Sequence, residues 1–372
     1  MRKMFYAICG LSIFLFSCRE EEADICTDSA QRIYLRATVE NTILLSRAPF
    51  SLLEPNEDNP LEVAVWASTT SKKFEHVDGA NGTNGTVALH TTARFTAGSE
   101  QLLDAAVYPK DNAGGTKTVY FVGMHPQGGW TDNATAGETA SKTFNGSEDV
   151  MFAPQEEGVY GGNVDKEKWP TFKFKHLLTW LRVKVKADSE IVSEAWGKLK
   201  SLKVKSSNGN TVTIDLSKEY SSVYNPGALE NCVTFSSGDG VTLDFYKTGT
   251  NNAFQNESYP LPYKDKFEEV AYVLCAPVIA TEHEELDVVK TNEYTLLVET
   301  EHRTVEVPVD LKKGESTCFE GSTMNYQFIL NLNFKMGNNI VVTVSVDDWE
   351  LGGISNGVLS PNNTSDGNSD AS

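Results

Sequence analysis

The chain has 372 residues, enough for two domains, and its 51 acidic against 32 basic side chains give a formal charge of −19. That balance repels a phosphate backbone and excludes nucleic acid as a partner. The six cysteines are widely scattered and form no disulfide framework of the small secreted kind, and no CxxC, HExxH, GxGxxG or P-loop pattern occurs.

Arg2 and Lys3 precede an apolar run from Met4 to Phe16. The run is shorter than the ~20 residues a membrane-spanning helix needs. It has the form of a removable export signal, residues 1–17. It ends Leu15-Phe16-Ser17-Cys18, which resembles a bacterial lipobox. In that reading the signal is cut between Ser17 and Cys18, and the Cys18 sulfur takes lipid that holds the precursor to a membrane. Glu20, Glu21 and Glu22 follow. They read either as a solvated tether or as a match to the acidic tag of surface-exported lipoproteins. Asp28-Ser29-Ala30 resembles a short O-glycosylation signal.

From Ile33 to Leu45 the odd positions read Ile33, Leu35, Ala37, Val39, Asn41, Ile43, Leu45, and the even ones are mostly polar. This period of two predicts a long half-buried strand. Glu62–Ala67 and Val119–Met124 also read as strands. The Gly/Asn-rich stretches Val77–Thr86 and Gly128–Gly146 read as surface loops. From Phe172 to Ala187 the apolar parity changes: Phe172, Phe174, His176 and Leu178 share one face, and Leu181, Val183, Val185 and Ala187 the other. A β-bulge near Thr179 would produce that change. Ser189–Leu199 is a short helix candidate.

Lys203–Leu216 and Val241–Tyr246 are extended. Tyr294–Val298 and Val305–Leu311 flank a polar turn, with Pro308 placing the second at an edge. Phe328, Leu330, Leu332 and Phe334 alternate, as do Ile340, Val342, Val344 and Val346 across a Gly/Asn turn, which predicts a hairpin. The tail 360–372 is polar and predicted to be disordered. The whole is an all-β pattern of tandem sandwiches with few short helices.

Single residues with chemical potential read as structural. His176 shares a face with Phe172 and Phe174 and is expected to be a satisfied core histidine. Cys275 lies in an apolar run and reads as a small buried hydrophobe. Trp66, Trp180 and Trp349 fall on strand patterns, whereas Trp130 falls in a polar loop and is expected to be exposed. Nothing suggests an enzyme, a cofactor or a metal site.

The lipobox, the strand ending in Arg47-Ala48, Val119-Tyr-Phe-Val-Gly-Met-His-Pro, Glu148-Asp-Val-Met-Phe-Ala, Phe172-Lys-Phe-Lys-His-Leu-Leu and the final Val344-Ser-Val-Asp-Asp-Trp349 occur in an order that resembles the fimbrillin family, the Mfa-like or type V pilin subunits of Bacteroidetes. The resemblance implies two transthyretin-like β-sandwich domains in tandem, with residues 18–47 as tether plus removable strand, 48–187 as the first domain and 188–359 as the second. It also implies export as a lipoprotein to the outer membrane and cleavage by an arginine-specific protease between Arg47 and Ala48. Assembly into a surface fimbrium would follow, by strand addition between subunits. Ile33, Leu35, Ala37, Val39, Ile43 and Leu45 would then leave a groove, and Ile354, Val358 and Leu359 would supply a short donor strand. Stalk, tip and anchor roles stay open, as does a host or glycan ligand. The alternative is a surface glycan-binding lipoprotein that keeps its lipid anchor.

Overall fold

The structure, a computed structural model, describes residues 32–39, 60–74, 88–96, 100–107, 118–132, 138–159, 168–218, 232–264, 266–280, 294–309, 312–313, 317–318, 321–337 and 339–348. Its first strands are β1 (Arg32–Val39), β2 (Leu61–Ser68), β3 (Ala88–Phe95), β4 (Glu100–Val107), β5 (Val119–His125), β6 (Thr131–Asp132), β7 (Thr139–Thr143), β8 (Met151–Gly158) and β9 (Thr171–His176). Seven of them form one sheet in the order β3-β2-β5-β8-β9-β1-β4. β3 and β4, at opposite ends of that order, approach within 8 Å between Cα atoms, so the sheet curls back on itself. The enclosed core contains Ile33, Leu35, Val63, Phe95, Phe121, Phe172 and Phe174.

The remaining elements are β10 (Thr179–Ala187), α1 (Glu190–Trp196), β11 (Leu199–Asp215), β12 (Val233–Asp244), β13 (Tyr246–Lys247), β14 (Glu268–Cys275), β15 (Ile279–Ala280), β16 (Tyr294–Thr300), β17 (Thr304–Val309), β18 (Lys312–Lys313), β19 (Thr317–Cys318), β20 (Gly321–Ser322), β21 (Tyr326–Phe334) and β22 (Ile340–Asp348). A five-stranded sheet, β13-β14-β10-β21-β22, and a six-stranded one, β17-β16-β11-β7-β6, share a second, larger core; β12 also pairs with β11. β15 pairs with β20 and β18 with β19 as short ribbons. Helix α1 starts at Ser189, whose side chain accepts from Val192 N, and stops at Gly197, whose φ of 73° suits a residue without Cβ.

Burial follows the alternation. On β2 the residues Val63 and Val65 enter the first core, while Ala64 and Trp66 on the opposite face join the second. Both faces of β2 are therefore covered, and the strand reads as a continuous apolar run. The expected hairpin is formed by β21 and β22, with Phe334 opposite Ile340. β16 and β17 pair across the polar turn, and Pro308 lies on β17, at the end of its sheet.

Two local expectations are corrected. No bulge joins the two halves of the segment from Phe172 to Ala187. β9 and β10 are separate strands in different sheets, and the parity changes because the chain steps from one core to the other at Leu177-Leu178. β10 ends at Ala187, and its partners β14 and β21 belong to the five-stranded sheet. Second, the stretch from Gly128 to Gly146 is more than a surface loop. It carries β6 and β7, and Ala140, Lys142 and Phe144 in it are buried. Its many polar residues pair along a ladder, which turn composition alone does not reveal.

Candidate functional site

β1 is an internal strand. It runs parallel to β9, with Arg36 opposite Thr171 and Val39 opposite Phe174, and antiparallel to β4, with Leu35 opposite Gln101. The pairing with β4 is irregular between Arg32 and Tyr34. Ile33 and Leu35 are fully buried, Ala37 nearly so, and Val39 packs at the margin of the core. On the outer face the Tyr34 ring stacks on Trp169 at 4.7 Å, and Thr38 Oγ1 donates to Phe172 O at 3.3 Å. Arg36 N donates to Pro170 O at 2.9 Å.

The floor beneath β1 is aromatic. Phe172 meets Phe95 and Phe174 edge to face, with ring centroids 6.5 and 5.7 Å apart. Gly123 on β5 makes room for them, since a Cβ there would lie 2.7 Å from Phe174 Cζ. Sequence reasoning did not single out Gly123, and only the alternation of Phe172 and Phe174 hinted at the floor. Burying Ile33 and Leu35 stabilises the fold by about 1.5–3 kcal/mol each. Without β1, that floor and the facing backbone edges of β9 and β4 would be open to water, and unpaired backbone groups in such a slot are costly.

Among the expected site residues, Ile33, Leu35, Ala37 and Val39 therefore share this one strand. Ser17, Cys18, Ile43, Leu45, Arg47, Ala48, Ile354, Val358 and Leu359 lie outside the described residues.

Elsewhere the polar side chains are tied into the scaffold. His176 Nδ1 lies 2.5 Å from Asp149 Oδ2, both buried, so the expected core histidine has a carboxylate partner. His125 donates from Nδ1 to Glu62 O at 2.8 Å, and its burial holds the imidazole below its usual pKa against the opposing charge of Asp149. Cys275 is fully buried on β14, and that burial pushes its thiol up to about 12. Trp130 differs from expectation: it is half-buried, packed against the second core, and its Nε1 donates to Pro126 O at 2.8 Å. Among the described residues, no group of three or more His, Cys, Asp or Glu side chains could hold a metal, and no helix is long and apolar enough to cross a membrane.

A curled all-β body whose N-terminal strand fills an internal slot is a class of protein built around strand pairing. The family model for fimbrillin-like proteins matches residues 47–349, and the chain belongs to that family. No curated protein matches. Three of the solved structures similar to the chain are as follows. A candidate cell adhesion protein of Bacteroides uniformis is 14% identical, with 86% of this chain and 98% of that one covered and a TM-score of 0.49. A fimbrial protein of Bacteroides vulgatus is 16% identical over 86% and 99%, with a TM-score of 0.44. The fimbrial anchor protein Mfa2 of Porphyromonas gingivalis is 10% identical over 86% and 97%, with a TM-score of 0.35.

Proposed function

We propose that the chain is a subunit of a surface fimbrium serving adhesion, exported as a lipoprotein on Cys18 and activated when cleavage after Arg47 frees β1. The observation that carries this reading is the position of β1: it is a core strand, paired on both sides, and the chain reaches Arg47 eight residues beyond its end. Cutting there would detach the whole strand while leaving the rest of the first core in one covalent piece. The emptied slot, with an apolar floor and two unpaired backbone edges, has the properties that recruit an extended strand from a neighbouring subunit. Membership in the fimbrillin-like family supports the role, and the match begins at Arg47, so β1 lies outside it.

The proposed donor for the next subunit is the segment with Ile354, Val358 and Leu359. Gly352, Gly353 and Gly357 weaken it as a strand and favour a subunit that mainly accepts. The test is N-terminal sequencing of protein sheared from cells. A start at Ala48 supports the reading; a blocked, lipid-bearing Cys18 on the assembled protein contradicts it.

A further inference from the structure

Ile33, Leu35 and Ala37 of β1 are buried in the first core, while Tyr34, Arg36 and Thr38 alternate with them on the outer face. The inner face alone does not fix where a strand sits in the slot. A slip of one residue turns every apolar side chain outward. A slip of two keeps the alternation and returns aliphatic residues to the floor. An incoming strand therefore needs a mark on its outer face to find its register.

Tyr34 carries that mark. The parallel ladder of β1 with β9 runs from Arg36 opposite Thr171 to Val39 opposite Phe174. Two positions back along each segment stand Tyr34 and Trp169, whose rings stack with centroids 4.7 Å and planes 12° apart. The stack continues the ladder beyond its last backbone pair, and Trp169 is only 8% exposed. The backbone bond beside it, Arg36 N to Pro170 O, is blind to sequence, since any residue but proline can donate it. Trp169 is also held without help from β1. Pro170 after it disfavours helical backbone there, and its carbonyl accepts from Thr171 Oγ1 at 3.1 Å. When β1 leaves, the indole loses the ring that covers it and keeps these two restraints, so it is a platform set in advance for the next ring.

We propose that Trp169 reads the register and identity of the strand that replaces β1, and favours a neighbouring subunit's strand with an aromatic ring on its outer face between the first two buried aliphatics. The inference rests on the proposed exchange of β1 for such a strand. The fitting sequence runs aliphatic, aromatic, aliphatic, any, small, which is the order of Ile33, Tyr34, Leu35, Arg36 and Ala37. A ring at the second position covers the indole and fixes the register in one contact. A small polar residue there leaves an indole face in water and lets the strand slip by two. The segment Ile354-Ser355-Asn356-Gly357-Val358-Leu359 has no ring, so copies of this chain join less tightly than a subunit whose strand carries one.

Fluorescence anisotropy of labelled peptides spanning residues 31–45, titrated with the cleaved chain, tests the selection. Tyr34→Phe should bind as the native peptide does. Tyr34→Leu, apolar but without a ring, should bind about fivefold more weakly, the loss expected for an aromatic stack, and Tyr34→Ser more weakly still. In a Trp169→Leu chain the difference between the native and Tyr34→Leu peptides should disappear. Equal binding of the native and Tyr34→Leu peptides to the unchanged chain would overturn the inference and leave strand exchange standing. Binding by none of the peptides would contradict strand exchange itself, and the inference with it. Should the Trp169→Leu chain fail to fold, the four peptides on the unchanged chain decide.

Discussion

His176 and Asp149 meet at 2.5 Å between Nδ1 and Oδ2, with solvent excluded from both side chains. His176 ends β9, the strand that supplies the aromatic floor beneath β1, and Asp149 stands two residues before β8. The pair thus ties the end of β9 to the segment that leads into β8. Removing one partner of a buried pair leaves the other uncompensated, so Asp149→Ala should lower the unfolding free energy by about 3–5 kcal/mol. A urea titration checks this through a fall in midpoint at unchanged slope.

His125 gives the fold a pH dependence of definite sign. Its burial lowers the folded-state pKa below 6.5, with Asp149 and Glu148 pulling the other way. Between the folded value and 6.5 the unfolded chain therefore binds more protons than the folded one. The contribution to stability is complete above 6.5 and is lost as pH falls through the folded value. Unfolding midpoints measured from about pH 8 down to about pH 5 should fall on acidification. His125→Gln, which keeps a donor for Glu62 O, should flatten that part of the profile.

In the second core, Tyr294 OH donates to Ala276 O at 2.9 Å and lies 3.2 Å from Thr323 Oγ1, which in turn accepts from Val278 N at 2.9 Å. Tyr294→Phe keeps the ring and leaves the Ala276 carbonyl without this donor. The expected loss is about 1–2 kcal/mol, measured by thermal or denaturant unfolding, with no change in assembly.

Gly123→Val tests the floor of the slot. The added side chain collides with Phe174, and overpacking of this kind costs about 1–3 kcal/mol. A synthetic peptide spanning residues 31–45 should bind the cleaved chain one to one, and the Gly123→Val chain should bind it more weakly. A peptide with Leu35→Asp should not bind at all, because it would place an unpaired carboxylate in the apolar floor.

Much of this was legible because period-two burial is a local signal. Ile33, Leu35 and Ala37, the β21–β22 hairpin and the edge position of Pro308 all follow from side chains alternating across a pleat. What stayed hidden was non-local. Nothing in the spacing of β1 says that its neighbours are β9 and β4, because parallel pairing with a strand more than a hundred residues away leaves no short-range mark. β7 was hidden for a related reason. Thr139, Ser141 and Thr143 read as loop residues until Asp215, Thr213 and Thr211 are placed opposite them. The shift of parity at Leu178 was visible, but a bulge and a change of sheet leave the same trace. Gly123 resembles any strand glycine until the Phe174 ring is seen above it.

The most direct measurement is to cut the purified chain after Arg47 with an arginine-specific protease, remove residues 18–47, and follow its size by denaturing gel without boiling. A slot emptied of β1 should capture strands from other copies and yield a ladder of polymers, while an uncut Arg47→Ala chain stays monomeric. A cut chain that releases β1 and remains a folded monomer, with no ladder at high concentration, would contradict strand exchange at this site.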